Sequence, residues 1–415
     1  MKMKKEKKML NQIRDAIEQI NDSKSIDKIE YKGKNSGVKF FNLKKAFLLA
    51  LSIVLIFAFG TWIALRSSPN TPIVTSTPIV TSTPIVTSPL IIISTASELD
   101  NVRNGLNKNY KLNNDIDLTD YLAFGAGFEK WGAEGWEPIG NRESMFTGSF
   151  DGSGHKITGL WINRSDQVDV GLFGETQNST VKNLGVEIDN DKGGVLGDGQ
   201  VGGLIGYQNS RNGSSIIENC YVTGNVVAMR LDVGGMVGSI HSNSGETTIT
   251  NCYATGNVTA SRGRAGGLVG QQDSNNNSAI TTANCYATGD VMAESDAAGL
   301  VGSQFSRKNS ANTILNCHAT GNVTAIGTKV RCRAGGLVGD QGISISKDGT
   351  NFNIISNCYA TGKVSGSSSS RSYVGGLVGS QSQNNVVSAV SSTNTVGDII
   401  IEAFKTIGTN IIENC

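Results

Sequence analysis

Histidine is nearly missing from this chain: His155, His241 and His318 are the only three in 415 residues. Their contexts, HKITG, HSNSG and HATGN, contain no His-Glu-x-x-His pair, which excludes a zinc peptidase built on two imidazoles one helical turn apart. Aromatic residues make up only 6% of the chain against 51 glycines. That composition excludes one large packed α/β core and suits many short strands joined by tight turns. Basic runs are missing beyond the N-terminus. Residues 1–45 hold 13 Lys and Arg against 6 Asp and Glu, and the other 370 residues hold 23 against 29. No nucleic-acid footprint is therefore expected in the body of the protein. No Cys-x-x-Cys or Cys/His spacing suggests a metal, and no motif calls for a cofactor.

What is present divides the chain into five parts. Residues 1–45 form a basic cytoplasmic segment in which Leu10, Ile13, Ile17 and Ile20 recur at helical spacing. Residues 46–65, AFLLALSIVLIFAFGTWIAL, carry no charge and can span a hydrocarbon core of about 30 Å as a helix. Lys44 and Lys45 precede this run and Arg66 follows it, so the N-terminus is expected in the cytoplasm and the remainder outside. Residues 66–89 contain three copies of TPIVTS, whose recurring proline disfavours helix and supports an extended stalk. Residues 90–168 read as an N-terminal β region, with Ser97 expected to cap a short helix. Residues 169–415 are the repeat region.

Two phrases mark the repeat. DVGLFG at 169 is followed by VGGLIG at 201, VGGMVG at 233, AGGLVG at 265 and AAGLVG at 297, with further copies at 334 and 374. In step with it run NCYVTGNV at 219, NCYATGNV at 251, NCYATGDV at 284, NCHATGNV at 316 and NCYATGKV at 357. Periods of this length mark solenoids and arrays. Glycines interrupt every candidate amphipathic run, so helical repeats are excluded. Several strands of three to five residues per unit remain, and coiling them stacks equivalent residues at about 4.8 Å.

Three interior or corner columns follow. Leu172, Leu204, Met236, Leu268, Leu300, Leu337 and Leu377 form an apolar ladder, and Cys220, Cys252, Cys285, Cys317 and Cys358 form another. Ile217 and its equivalents stand three residues before the cysteines, and both can point inward only if the chain bends between them. The bend falls at Asn219, Asn251, Asn284, Asn316 and Asn357, because asparagine tolerates left-handed φ. The cysteines are expected as buried free thiols, since parallel side-chain vectors suit a disulfide poorly.

These phrases resemble the GLUG motif, named for its Gly-Leu-any-Gly core and found in tandem in bacterial surface proteins. Its relatives include adhesin-like proteins and some immunoglobulin-A-cleaving metallopeptidases. The resemblance covers about residues 169–379 and implies architecture far more than activity. The expected fold is all-β, a right-handed parallel β-helix behind an N-terminal transmembrane helix and a short cytoplasmic helix.

Catalysis is not expected. Asp and Glu are sparse in the repeats and read as sharing no column, which leaves acid/base chemistry on polysaccharide without a carboxylate cluster. Asp189 and Asp191 start like a calcium loop but lack its closing Glu, and Asp115, Asp117 and Asp120 are read as turn residues too. The expected role is a membrane-anchored surface adhesin or binding module for carbohydrate, cell wall or host protein. The polar segments after each Gly-Leu-x-Gly phrase, such as QNSRNGSS and QDSNNNS, are the expected contact surface. A polysaccharide-acting enzyme and a transmembrane sensor are the alternatives. The chain stops on IIENC, the phrase that also stands at Ile216–Cys220, so a further repeat is expected to begin there in a shortened array.

Overall fold

The computed structural model describes residues 29–31, 39–41, 89–328, 330–344, 351–383, 389–390 and 409–413. The apolar run 46–65, the helix expected around Leu10–Ile20, the TPIVTS stalk to residue 88, Asn414 and Cys415 lie outside them. Among the described residues no helix is long and apolar enough to cross a membrane. The chain divides into one unit of Met1–Ile85 with Thr395–Ala403, and a second of Val86–Asn394 with Phe404–Cys415. In the first, Ile29–Tyr31 pairs antiparallel with Lys39–Phe41. All strands from Leu90 onward belong to the second.

The second unit is a solenoid of short parallel strands. One turn comprises Val201–Gly202, Ile205–Arg211, Ser214–Glu218, Tyr221–Thr223 and Val226–Ala228. The next comprises Asp232–Gly234, Val237–Asn243, Glu246–Thr250, Tyr253–Ala254 and Val258–Ala260. Each strand pairs with its equivalent one repeat on, as Val201 does with Val233, Ile205 with Val237 and Val226 with Val258. Longer insertions are absorbed between strands, so Ala334 still pairs with Val374. Five parallel sheets of six, seven, eleven, eight and seven strands result among the described residues. The terminal phrase joins them: Ile411 and Ile412 of Thr409–Glu413 pair in parallel with Ile354 and Ile355.

The interior column is continuous. Leu172, Leu204, Met236, Leu268, Leu300 and Leu337 are fully buried, and Leu377 packs against the same core, half-buried. Each fully buried leucine contributes on the order of 2 kcal/mol. Close stacking requires the glycine beside it. A Cβ on Gly267 would lie 2.1 Å from the carbonyl oxygen of Gly299 and 2.8 Å from the Ala287 methyl.

Residues 90–168 join the same sheets. Leu90–Ile93 pairs with Asn109–Leu112, which pairs with Ser149–Asp151, which pairs with Thr180–Lys182. Aromatic side chains concentrate here, with Trp136, Phe146, Phe150 and Phe173 fully buried. The short helix is Ala96–Asp100, and its cap is Thr95, not Ser97. Thr95 accepts from the Glu98 backbone N–H at 3.2 Å, and the Glu98 carboxylate accepts from the Thr95 N–H at 3.0 Å. The glutamate selects the threonine three residues before it, which a capping box requires. Two further helices, Thr119–Ala123 and Ala126–Trp131, had no sequence expectation.

Candidate binding face of the solenoid

The asparagine column forms a corner and a ladder together. Asn219, Asn251, Asn284, Asn316 and Asn357 have φ between 52° and 55°. Their amides donate along the axis: Asn251 Nδ2 to Asn219 Oδ1 at 3.1 Å, Asn284 to Asn251 at 3.2 Å, Asn316 to Asn284 at 3.1 Å and Asn357 to Asn316 at 3.3 Å. Asn183, with φ 53°, begins this ladder and accepts from Asn219 at 2.9 Å. The corner turns the cysteines inward. Cys220, Cys252, Cys285 and Cys317 are buried and free, as is Cys332 on the strand Cys332–Gly335, and Cys358 is buried in line with them. Burial pushes the Cys252 thiol far up, and the neighbouring thiols first, then burial, push Cys285 and Cys317 up, the latter to about 12.

Just past that corner, Tyr221, Tyr253, Tyr286, His318 and Tyr359 stack on the outside. Ring centroids lie 4.8–5.2 Å apart and ring planes within 10°. Such a stack covers the ring faces and presents edges to solvent.

The polar segments after the Gly-Leu-x-Gly phrases are not outward loops. They are seven-residue strands, Ile205–Arg211, Val237–Asn243, Val269–Asn275, Val301–Arg307 and Val338–Ser344. Alternation along them sends Gln208, Ser210, Ser242, Gln272, Ser274 and Gln304 fully inside. Several of them bond inside, whereas both amide atoms of Gln304 are buried without a hydrogen-bond partner. Gln208 Nε2 donates to Ser215 Oγ at 2.7 Å, Ser210 and Thr247 share a bond of 2.7 Å, and Gln272 Nε2 donates to Thr282 Oγ1 at 2.6 Å. The exposed remnant is a row of turn tips such as Arg211 and Asn212.

Carboxylates do share a column, contrary to the sequence reading. The residue before each Val/Ala-Gly phrase reads Asp169, Gln200, Asp232, Arg264, Asp296, Arg333 and Tyr373, and the strand register places these in line. Arg264 Nε donates to Asp232 at 2.6 Å, and Arg333 Nη1 donates to Asp296 at 2.7 Å. A parallel row adds Arg230, whose Nε donates to Asp198 at 2.6 Å. The aspartates are buried, and the guanidiniums are exposed to very different degrees, the Arg230 side chain 63%, Arg264 28% and Arg333 14%. Burial raises Asp232 despite Arg264, and burial raises Asp340 to about 6 while Arg333 opposes it and Asp296 assists. The signal was present in the sequence, one residue ahead of the glycines.

At the Arg264 and Arg333 levels this face opens into a cleft of about 540 Å³. Gly263, Ser295, Leu231, Val330 and Phe305 are among the residues that line it. Gly263 cannot carry a side chain, since a Cβ would fall 1.6 Å from the Leu231 carbonyl oxygen. Five arginines and three aspartates line the cleft, leaving an excess of two positive charges. Arg262 and Arg331 stand exposed at the rim.

A profile of the GLUG motif matches residues 197–227. The chain carries the GLUG motif. The remaining copies of the two phrases repeat that unit along the solenoid in the register described above. A protein provisionally named a Gly-rich membrane protein, from Evansella cellulosilytica, is 47% identical over 95 residues, which cover 22% of this chain and 10% of that one. Halomucin of Haloquadratum walsbyi is 36% identical over 135 residues, covering 26% of this chain. The aligned part of this GLUG-repeat chain thus spans a tenth of the first relative's length and 1% of the second's. A crystal structure from Bacteroides ovatus, provisionally described as an immunoglobulin A1 protease, aligns with a TM-score of 0.47 and 20% identity. That alignment covers 78% of this chain and 83% of the other.

None of the candidate metal residues gather. Among the described residues no group of three or more His, Cys, Asp or Glu is placed to hold an ion. The Asp189 carboxylate instead accepts from the backbone N–H groups of Asp191 and Lys192, capping its own turn. Asp117 similarly accepts from the Thr119 N–H at 2.9 Å.

Proposed function

We propose that this protein is a membrane-anchored surface protein whose GLUG-repeat β-helix, wound right-handedly and held outside the cell, is a non-catalytic binding module. One observation carries this reading: the charged face commits its buried carboxylates to guanidiniums turn after turn and leaves two further arginines, Arg262 and Arg331, exposed at the rim of the cleft. A carboxylate locked in a buried ion pair is a rigid counterion and a poor proton carrier, whereas the outward cations are placed for recognition. The names of the relatives, a Gly-rich membrane protein and a halomucin, agree with a surface location. The apolar run 46–65, with two lysines before it, supplies the anchor and sets the orientation.

The test is a binding and turnover assay with the full-length chain in detergent micelles, using carbohydrate, cell-wall and host-protein ligands. Saturable, salt-sensitive retention without release of reducing ends is expected. Retention of no ligand would sink the reading. A second reading, a polysaccharide-acting enzyme, is favoured by Asp340, pushed up to about 6 beside Asp296 at the cleft. It requires new reducing ends from a bound polymer and their loss in Asp340→Asn.

A further inference from the structure

The cleft around Gly263 and Ser295 has a composition that selects its ligand. Among the described residues all five of its cations are arginines, whose planar fork matches a carboxylate with two parallel hydrogen bonds. Asp232 pairs with Arg264, Asp296 and Asp340 with Arg333, and Asp198 with Arg230, which leaves Arg262 and Arg331 to meet something anionic. These two stand two turns apart, because Arg262, Glu294 and Arg331 precede the strands Arg264–Gly266, Asp296–Ala298 and Cys332–Gly335, which are neighbours in one sheet. At about 4.8 Å per turn their separation along the axis is roughly 10 Å. Glu294 occupies the turn between them, and the Thr328 hydroxyl donates to its carboxylate. Leu231 and Val330 lie open at the flanks, 43% and 44% exposed, and Phe305 adds apolar surface.

We infer that this cleft binds a linear polysaccharide bearing a carboxylate on each sugar, laid parallel to the solenoid axis. The inference rests on the binding-module reading and names its ligand class. In an extended two-fold sugar chain, one sugar advances about as far as one solenoid turn. Carboxylates on one side then recur every second sugar, level with Arg262 and Arg331, and turn away from Glu294 between them. The apolar C–H faces of the sugars cover Leu231, Val330 and Phe305. An acidic peptide fits less well. Side chains on one face of an extended peptide recur about every 6.8 Å, out of step with both one turn and two.

The experiment is calorimetric titration of the full-length chain in micelles at low ionic strength with polygalacturonate, its methyl ester and poly-L-glutamate. Polygalacturonate is expected to bind, and its methyl ester at least about tenfold more weakly, because the ester removes the charge read by the arginines. The double variant Arg262→Gln/Arg331→Gln is expected to lose about tenfold or more, and Lys111→Gln, at an exposed strand position elsewhere, to bind as the parent does. All three residues are exposed, and an unchanged circular dichroism spectrum verifies folding. Wild-type affinity in the double variant, or equally tight binding of poly-L-glutamate, overturns the inference. Retention of neutral glycans without polygalacturonate overturns it and leaves the binding-module reading standing, whereas retention of no ligand overturns both.

Discussion

At the scale of single residues, asparagine does two jobs at each corner. It accepts a left-handed φ that most residues resist, and its amide bonds to the asparagine one turn away. Asn284, with φ 55°, donates to Asn251 and accepts from Asn316. Asn284→Ala loses both bonds and forces alanine into the left-handed region, for a cost of about 2 kcal/mol. Asn284→Gly keeps the backbone conformation and loses only the bonds, so its cost is smaller. Urea denaturation of both variants checks this order, and an alanine variant as stable as the glycine one contradicts it. This corner was legible because asparagine has few other reasons to recur before cysteine. The acidic cluster beside Arg142 was not. Burial, helped by the charge of Asp169 and opposed by Arg142, pushes Glu175 up to about 7 from an ordinary 4.5. Asp169 and Tyr207 are the other titratable groups acting with it. A raised carboxyl holds a proton in the fold that the unfolded chain releases, so its stabilisation is full below about pH 4.5 and lost as pH rises through 7. Glu175→Gln should therefore gain stability relative to the parent between pH 5 and pH 8. A flat or falling difference in denaturation midpoint over that range contradicts the assignment.

Strands and columns obey a different logic, because each is stabilised by equivalents above and below. Leu300 lies between Leu268 and Leu337 with no exposure. Leu300→Ala leaves a void that rigid neighbouring turns cannot close, and about 3 kcal/mol of destabilisation is expected. A urea-derived change below about 1 kcal/mol would place that side chain outside the core. The cysteine column gives a chemical readout of the same packing. Cys220, Cys252, Cys285, Cys317, Cys332 and Cys358 are buried, out of reach of a bulky thiol reagent. All six should stay unmodified by a maleimide in the native protein and react once it is unfolded, as mapped by mass spectrometry of peptides. Rapid native labelling of any of them would contradict an interior column. The sequence misled at the element scale where polarity was equated with exposure. Gln208, Ser210 and Gln272 read as loop, yet they are interior strand positions. Composition could not separate a solvated amide from one bonded to a serine inside. Strict alternation with the valine or isoleucine that opens each strand was the only available cue.

For the solenoid unit as a whole, period rather than composition carried the fold. Two phrases kept in step announced stacked turns, and the parallel registers show the same steps, including the longer ones that reach Ala334 and Val374. The charged face was less legible, since Asp232, Arg264, Asp296 and Arg333 differ from turn to turn and look unrelated until register aligns them. Alternating opposite charges in one column satisfy both neighbours at once, whereas a uniform column of either sign would repel itself along its length. Variation there is thus a requirement of stacking. The most direct measurement of that stacking is electron-spin distance between nitroxides on one outward column: Val227, Thr259, Met292, Thr324 and Ser365. With one label at Val227, partners at Met292, Thr324 and Ser365 should lie roughly 10, 14 and 19 Å away, a steady increment of about 4.8 Å per turn. Separations that jump irregularly, or that do not grow with the number of intervening repeats, would show that consecutive units are not coiled on one another.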